Sequence, residues 1–525
     1  MADDKNIEKK KKWTVLIYQA ADNNLTEESI FALKEMKKLG TKKPQTHDAQ
    51  TEPFWEADIV VQFDPSGRGN KTFRFRIKKA DDDGELFDED KIKELDEIDT
   101  GTTQPLIDFL CFGIKKYPAD YYMVILSGHG SGTEQDFFLR DENGPLSLIP
   151  SSLNIPDLEQ VFTKGGDVDK ALEEAKRGGK INILGFDACL MSMAEICYQL
   201  RASVVDLMIG SEGFSPSAGW PLHSILKVLN NKPNIEPEPL ARRIVNRYTR
   251  FYLNYELGGL SVDISVLKID RIENLTKKVK KLVEVLTRKL NEALEQQKVY
   301  CTERSTRRTV YAYEGPPPPF IDAIIMSHWE AQSYNGEVFV DLYDFCNILR
   351  QRYTKKVARE DDEKEIKAVQ EACLDVMDAI AGKKDSVVLH SCYNGPAYQY
   401  SYGVSIYFPW SCTEFSPHYF RRHEESEARQ EQEHAHLDFP TNKVTGWGEF
   451  LRLYFKATIL RPPRSFKELK ISDGVRSGPP ASRGPNARVR SMRNPTPYYF
   501  KSPCAKKERD GSDTRPQETG EKSDA

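Results

Sequence analysis

Over the first 270 residues, short apolar runs ending in polar turns alternate with amphipathic stretches. Residues 13–19, 57–63, 121–126, 181–186 and 204–209 are β-branched or aromatic runs of strand length. Residues 26–39, 105–117 and 167–176 carry apolar side chains at helical spacing, such as Ile30, Leu33 and Met36 in the first. Strands buried on both faces read as near-continuous apolar runs. The alternation therefore predicts a mainly parallel sheet with helices on each side, a three-layer α/β/α sandwich. Residues 72–77 alternate Phe73, Phe75 and Ile77 with Arg74 and Arg76, which reads as a half-exposed edge strand. Residues 42–55 read as a polar loop, and 136–145 as a hairpin turning at Asp141-Glu142-Asn143-Gly144.

The later half is richer in helix. The patterns predict helices at 239–255, 272–297 and 363–381, with a strand at 260–268 extending the sheet. Residues 338–345 lead into another helix, and 386–390 with 400–408 read as a strand pair opening a small subdomain. Glu314-Gly315-Pro316-Pro317-Pro318-Pro319 must be extended and reads as a stiff connector. The expected organisation is a charged tail at 1–12, an α/β domain at 13–270, a helix-rich region at 271–461 and a disordered tail at 462–525. That last segment has too few large apolar side chains to offset chain entropy.

Composition narrows the setting. The chain has 525 residues and a net charge of -5, with no global signal for nucleic acid or an anionic membrane. No 20-residue apolar span stands out, so no membrane partner is expected. The nine cysteines are scattered, without a disulfide framework, and the N-terminus has no apolar signal core. A cytoplasmic location and a monomer are the expectations. His423, His434 and His436 lie in a charged stretch without metal-ligand spacing, and no metal is assigned to them.

Two strand ends carry the candidate chemistry. Tyr121-Tyr122-Met123-Val124-Ile125-Leu126 runs into Ser127-Gly128-His129-Gly130, and Ile181-Asn182-Ile183-Leu184-Gly185-Phe186 runs into Asp187-Ala188-Cys189. The carboxyl ends of parallel strands share one edge, where ligands bind in open α/β sheets. His129 and Cys189 would then project from one rim, a thiol nucleophile beside its base. The apolar spacing over 190–200 predicts a helix starting at Cys189, whose free N–H groups would favour the thiolate and donate to an oxyanion. Gly130 has no side chain to block a carbonyl, so its N–H is the second candidate oxyanion donor.

Ser127-Gly128-His129-Gly130 together with Asp187-Ala188-Cys189-Leu190-Met191 resembles the clostripain-like cysteine peptidases of the caspase and gingipain clan. Trp13-Thr14-Val15-Leu16-Ile17-Tyr18, Ala21-Asp22-Asn23-Asn24-Leu25 and Gly219-Trp220 extend the likeness, which covers about residues 13–460. The resemblance implies a caspase-like sandwich and a Cys189–His129 dyad hydrolysing protein or peptide substrates through a thioacyl-enzyme. It also implies cleavage after arginine or lysine, with Asp187 meeting the P1 side chain. The other reading of Asp187 is a helix cap. Relatives often carry Pro-Gly-Asp-Gly-Trp where this chain has Pro216-Ser217-Ala218-Gly219-Trp220. Ser217 and Trp220 are therefore candidate substrate contacts, with Glu212 a substitute for the missing acid.

Some relatives are cut between the histidine and the cysteine. Here that connection is short, and activity without obligatory cleavage is expected. No cofactor is expected. The acidic run Asp82-Asp83, Glu85 and Asp88-Glu89-Asp90 lacks the spacing of a calcium loop. Two other function classes stay open, a caspase-like binding module without useful catalysis and a transpeptidase or amidase using the same dyad.

Overall fold

Apolar side chains alternate to opposite faces along each central strand, and each face acquires its own helical cover. The computed structural model describes residues 11–39, 57–77, 90–133, 138–144, 149–175, 179–253, 259–296, 299–302, 309–312, 318–354, 363–382, 384–410, 416, 419 and 437–459. The polar loop at 42–55, the acidic run up to Glu89, most of the proline stretch, the three histidines at 423–436 and the tail from 462 lie outside these residues.

The elements run β1 (Lys11–Ala21), α1 (Thr26–Leu39), β2 (Ala57–Pro65), β3 (Thr72–Arg76), β4 (Lys91–Leu95), α2 (Thr103–Lys116) and β5 (Ala119–Ser127). Then follow β6 (Phe138–Asp141), β7 (Ser151–Leu153), α3 (Ile155–Phe162), α4 (Asp167–Glu174), β8 (Ile181–Asp187), α5 (Ala194–Gln199) and β9 (Val205–Gly210). Next come α6 (Leu222–Asn231), α7 (Pro237–Tyr252), β10 (Val262–Lys268), α8 (Ile272–Gln296), β11 (Val299–Thr302) and β12 (Thr309–Ala312). The last are α9 (Pro319–Glu330), β13 (Ser333–Tyr334), β14 (Phe339–Asp341), α10 (Leu342–Arg352), α11 (Glu363–Ala381), β15 (Val388–Asn394), β16 (Ser405–Tyr407) and α12 (Trp447–Ile459).

The main sheet has the order β15-β10-β9-β8-β5-β1-β2-β3-β4. Its centre, from β9 to β2, is parallel, and both flanks are antiparallel. Leu16, Tyr18 and Ala20 of β1 pack into one core with α2, α3, α4 and α8, while Val15 and Ile17 pack into the other with α1, α6 and α7. The three-layer sandwich is thus formed. The chain leaves β1 towards β2 on one side and later returns to β5 on the other. The strand order therefore reverses beside β1, opening a crevice at the strands' carboxyl ends.

Three expectations need correction. β3 is not an edge strand, because the polar β4 pairs outside it. Arg74 is buried there, donating to Gln62 Oε1 at 2.8 Å and lying over the Phe112 ring. The strands expected at 386–390 and 400–408 do not pair with each other. β15 joins β10 in the main sheet, and β16 joins β14 and β13 in a small second sheet. That small sheet is stitched behind the Cys189 loop, where Ser405 donates its N–H to the Ser192 carbonyl at 3.0 Å. The helix after Cys189 begins only at Ala194 and is six residues long. Among the described residues, no helix is long and apolar enough to cross a membrane.

Candidate active site

β5 and β8 are neighbours in parallel register, and their last residues, Ser127 and Asp187, face each other. The chain segments carrying the histidine and the cysteine therefore leave the sheet side by side. Gly128 N–H donates to the Asp187 carbonyl at 3.2 Å and holds them together. Two residues on, a Cβ at Gly130 would fall 2.4 Å from the Cys189 carbonyl oxygen and 3.0 Å from its amide nitrogen. Only glycine allows this approach.

From Cys189 to Met193 the chain is an extended loop zipped onto the segment after β9. Leu190 N–H donates to Gly213 O at 3.0 Å, and Ser192 N–H to Ser211 O at 2.9 Å. Leu190 takes a left-handed backbone, φ 64°, a conformation that costs a bulky residue energy and is held by these flanking bonds. The partner segment is itself fixed from below: the carboxylate of Asp263 on β10 accepts from Glu212 N–H at 2.7 Å and from Gly213 N–H at 2.9 Å. Ser215 N–H then reaches the Cys189 sulfur at 3.3 Å.

The expected thiolate-favouring helix end is absent from this arrangement, since α5 starts five residues too late. Burial pushes the Cys189 thiol up from its ordinary value, opposed only by the Ser215 N–H. Burial also lowers the His129 imidazole, with Glu142 raising it and Arg140 lowering it further. Contacts to both backbone and ring position His129. Its carbonyl accepts from Leu139 N–H at 3.0 Å, and its Nε2 meets Asn24 Oδ1 at 2.6 Å.

A model of the clostripain family matches residues 17–427. The chain belongs to the clostripain family. Clostripain from Hathewaya histolytica is 27% identical over 215 residues, spanning 40% of this chain and 38% of clostripain itself. The match thus covers well under half of that relative's length. A secreted C11 cysteine protease from Bacteroides thetaiotaomicron, solved with an irreversible peptide inhibitor, has a TM-score of 0.47 at 19% identity, covering 79% of this chain and 97% of that one. An inactive zymogen C11 protease from Parabacteroides distasonis has a TM-score of 0.43 at 18% identity, covering 77% and 93%. The expectation of a cytoplasmic location is overturned. Two similar solved enzymes are described as secreted, and Cys392 is disulfide-bonded, which a reducing cytosol disfavours.

In this clostripain-family chain the candidate substrate residues separate. Asp187 is partly buried at the rim, its Oδ1 accepting from Trp220 N–H at 3.0 Å and its Oδ2 from Ser127 Oγ at 3.2 Å. Burial raises its carboxyl to about 6, against those two bonds. Gly219, φ 66°, passes so close that a Cβ there would lie 2.8 Å from Asp187 Oδ2. Ser217 is exposed on the same loop. Trp220 instead turns its ring into the core against Gly185 and reaches the rim only through its backbone.

Glu212 is also removed from the rim. It is fully buried, and its Oε1 accepts from Gly403 N–H at 2.7 Å. Desolvation and the nearby Asp341 and Asp263 carboxyls push it well above its ordinary range. Enclosed beneath the loop and bonded to the Gly403 N–H, the Glu212 carboxyl is not presented at the rim where the missing acid would stand. It ties the Cys189 platform to the small second sheet.

The oxygen-rich cluster that does form is not the acidic run expected from the sequence. In that run, Asp90 is buried in an ion pair with Lys37. Asp22, Asp64 and Asp141 instead meet by the carboxyl ends of β1, β2 and β6, with ligand atoms within 4.8 Å of one another. Such carboxylate sets suit hard cations. Here their oxygens accept from Gly67 N–H, Asn143 Nδ2, Thr72 Oγ1 and both donors of Thr100.

Sequence reading passes over Asn24, Ser215 and Asp263. Asn24 lies in a polar turn directly after a strand, and Asp263 is a lone acid in an apolar strand. Those were the available signals. Ser215 acts through its backbone and leaves none.

Proposed function

We propose that this chain is a cysteine endopeptidase in which Cys189 is the nucleophile and His129 its proton-transfer partner. The observation that carries the reading is the juncture of β5 and β8, where the His129-Gly130 segment lies against the Cys189 backbone. In the proposed reaction the thiol proton passes to His129 as sulfur bonds to the peptide carbonyl carbon. The oxyanion that forms lies within reach of the Gly130 N–H and the Cys189 N–H. The imidazolium then protonates the departing amine as the C–N bond breaks, leaving a thioester that water hydrolyses with His129 as base. Side chains and backbone amides carry every step, and no cofactor is assigned one.

The preferred P1 residue in this proposal is arginine or lysine. Asp187 supports it, being an acid two residues before the nucleophile with room left open by Gly219. A bidentate pair with guanidinium would use both carboxylate oxygens. Cleavage of a P1-varied fluorogenic peptide library, beside Cys189→Ala, is the test. Turnover after basic residues that vanishes in the variant is expected, and equal turnover by both proteins would sink the reading. The raised thiol favours one competing reading, a family member that binds peptides with weak catalysis. Labelling of Cys189 by a peptidyl electrophile separates the two.

A further inference from the structure

We infer that Asn24 is the positioning residue for His129, fixing its tautomer and turning Nδ1 to the nucleophile; this rests on the peptidase reading above. The Asn24 side-chain oxygen lies 2.6 Å from His129 Nε2. An amide oxygen can only accept, so Nε2 carries the proton and Nδ1 keeps a lone pair to take the thiol proton.

The pair itself is solvent-accessible, but it is anchored by a circuit of bonds beneath it. Asn24 is exposed in the turn after β1, directly behind the buried Asp22 and Asn23. Asn23 Nδ2 donates to Ala20 O at 3.0 Å and to Arg140 O at 2.7 Å, and Asn23 Oδ1 accepts from Leu25 N–H at 2.9 Å. Asp22 binds the same hairpin twice, its carbonyl accepting from Glu142 N–H at 2.8 Å and its Oδ1 from Asn143 Nδ2 at 2.6 Å. That hairpin, through Leu139 N–H, also holds the His129 carbonyl at 3.0 Å. Asn24 and His129 are therefore set from one rigid piece, on the two sides of the crevice between β1 and β5.

The choice of an amide has a consequence. A carboxylate at the same point would favour imidazolium and raise the acid limb of the pH profile, whereas an amide orients the ring without adding charge. Asn24→Ala is expected to lower kcat on the order of 10- to 100-fold with KM little changed, because a mispositioned base costs rate rather than binding. Asn24→Asp is expected to restore much of kcat above pH 8 and to move the acid limb upward.

Nuclear magnetic resonance of the His129 ring nitrogens, assigned with His129→Gln, reports the pairing whether or not peptides are cleaved. Wild-type protein should show the Nε2–H tautomer, Asn24→Ala a mixture, and Asn24→Asp a raised His129 titration at unchanged Tm. Ring signals and titration unchanged in both variants overturn the inference. So does a shifted ring with unaltered kcat. Shifted ring signals in a chain that cleaves nothing support the pairing and overturn the peptidase reading instead.

Discussion

Ser215 donates its backbone N–H to the Cys189 sulfur at 3.3 Å, across the gap between the nucleophile loop and the segment after β9. This bond favours the thiolate, against desolvation and the charges of Asp187 and Asp263, which disfavour it. With the imidazole also lowered by burial, both shifts favour a neutral thiol beside a neutral imidazole. Alkylation of Cys189 by iodoacetamide, with Cys189→Ala as blank, should keep accelerating beyond pH 8.5. An inflection below pH 7 would show that a resting ion pair with His129 outweighs burial. The same ordering predicts a broad kcat/KM plateau, its acid limb below the ordinary histidine value and its alkaline limb above the ordinary thiol value.

Gly130 offers a different test. A methyl group there would press on the Cys189 carbonyl at 2.4 Å, against backbone rather than a side chain that can swing away. Gly130→Ala should displace the donor N–H and the sulfur together. We expect kcat/KM to fall on the order of 100- to 1000-fold, the scale of a lost oxyanion donor. A fall borne by kcat, with a modest drop in Tm, is the expected split. Near-native kcat would show that neither atom's placement depends on this contact.

What the sequence made legible was local. The two strand ends could be read because apolar runs stop abruptly at Ser127 and Asp187, and α1 and α11 fall on their expected bounds because helical spacing persists between polar breaks. What escaped was non-local or contrary to local pattern. Leu190, Met191 and Met193 are spaced like a helix, yet are buried as loop because the Gly213 and Ser211 carbonyls take the N–H groups of Leu190 and Ser192. β15 alternates like any half-covered strand, and only its pairing with β10 assigns it to the main sheet. Asp22, Asp64 and Asp141 lie at or just past the ends of three separate strands and become a cluster only in three dimensions.

Asp187 should make basic P1 preference pH-dependent. Its folded value of about 6 lies above the ordinary aspartate range, so it loses its charge as pH falls through 6. KM for arginine or lysine peptides should rise below that pH, beyond any change seen with neutral P1 residues. Asp187→Asn should lower kcat/KM for basic substrates by about 10- to 100-fold, the scale of one charge-assisted bond, and remove the selective pH effect. Steady-state kinetics on paired basic and neutral substrates between pH 5 and pH 8 checks this. A selective effect that survives in Asp187→Asn would assign the P1 charge to another acid.

The buried Asp64 sets the pH dependence of stability rather than of activity. Desolvation and the neighbouring Asp141 and Asp22 raise its carboxyl to about 8 from 3.8, outweighing the hydroxyls of Thr72 and Thr100. Between those values the folded chain holds a proton that the unfolded chain releases. Stability from this group is therefore full below about 4, declines as pH rises towards 8, and is flat above. The shift from 3.8 to about 8 corresponds to at most about 6 kcal/mol, and relaxation of the site will reduce it. Asp141, raised to about 6, adds to the decline in the same direction over a narrower window. Asp64→Asn keeps a hydrogen-bonding group for the two threonines and removes the charge. In chelator-treated buffer it should match wild-type Tm near pH 4 and exceed it at pH 8. Equal Tm values at both pH values would mean that water or a bound cation relieves the cluster in solution.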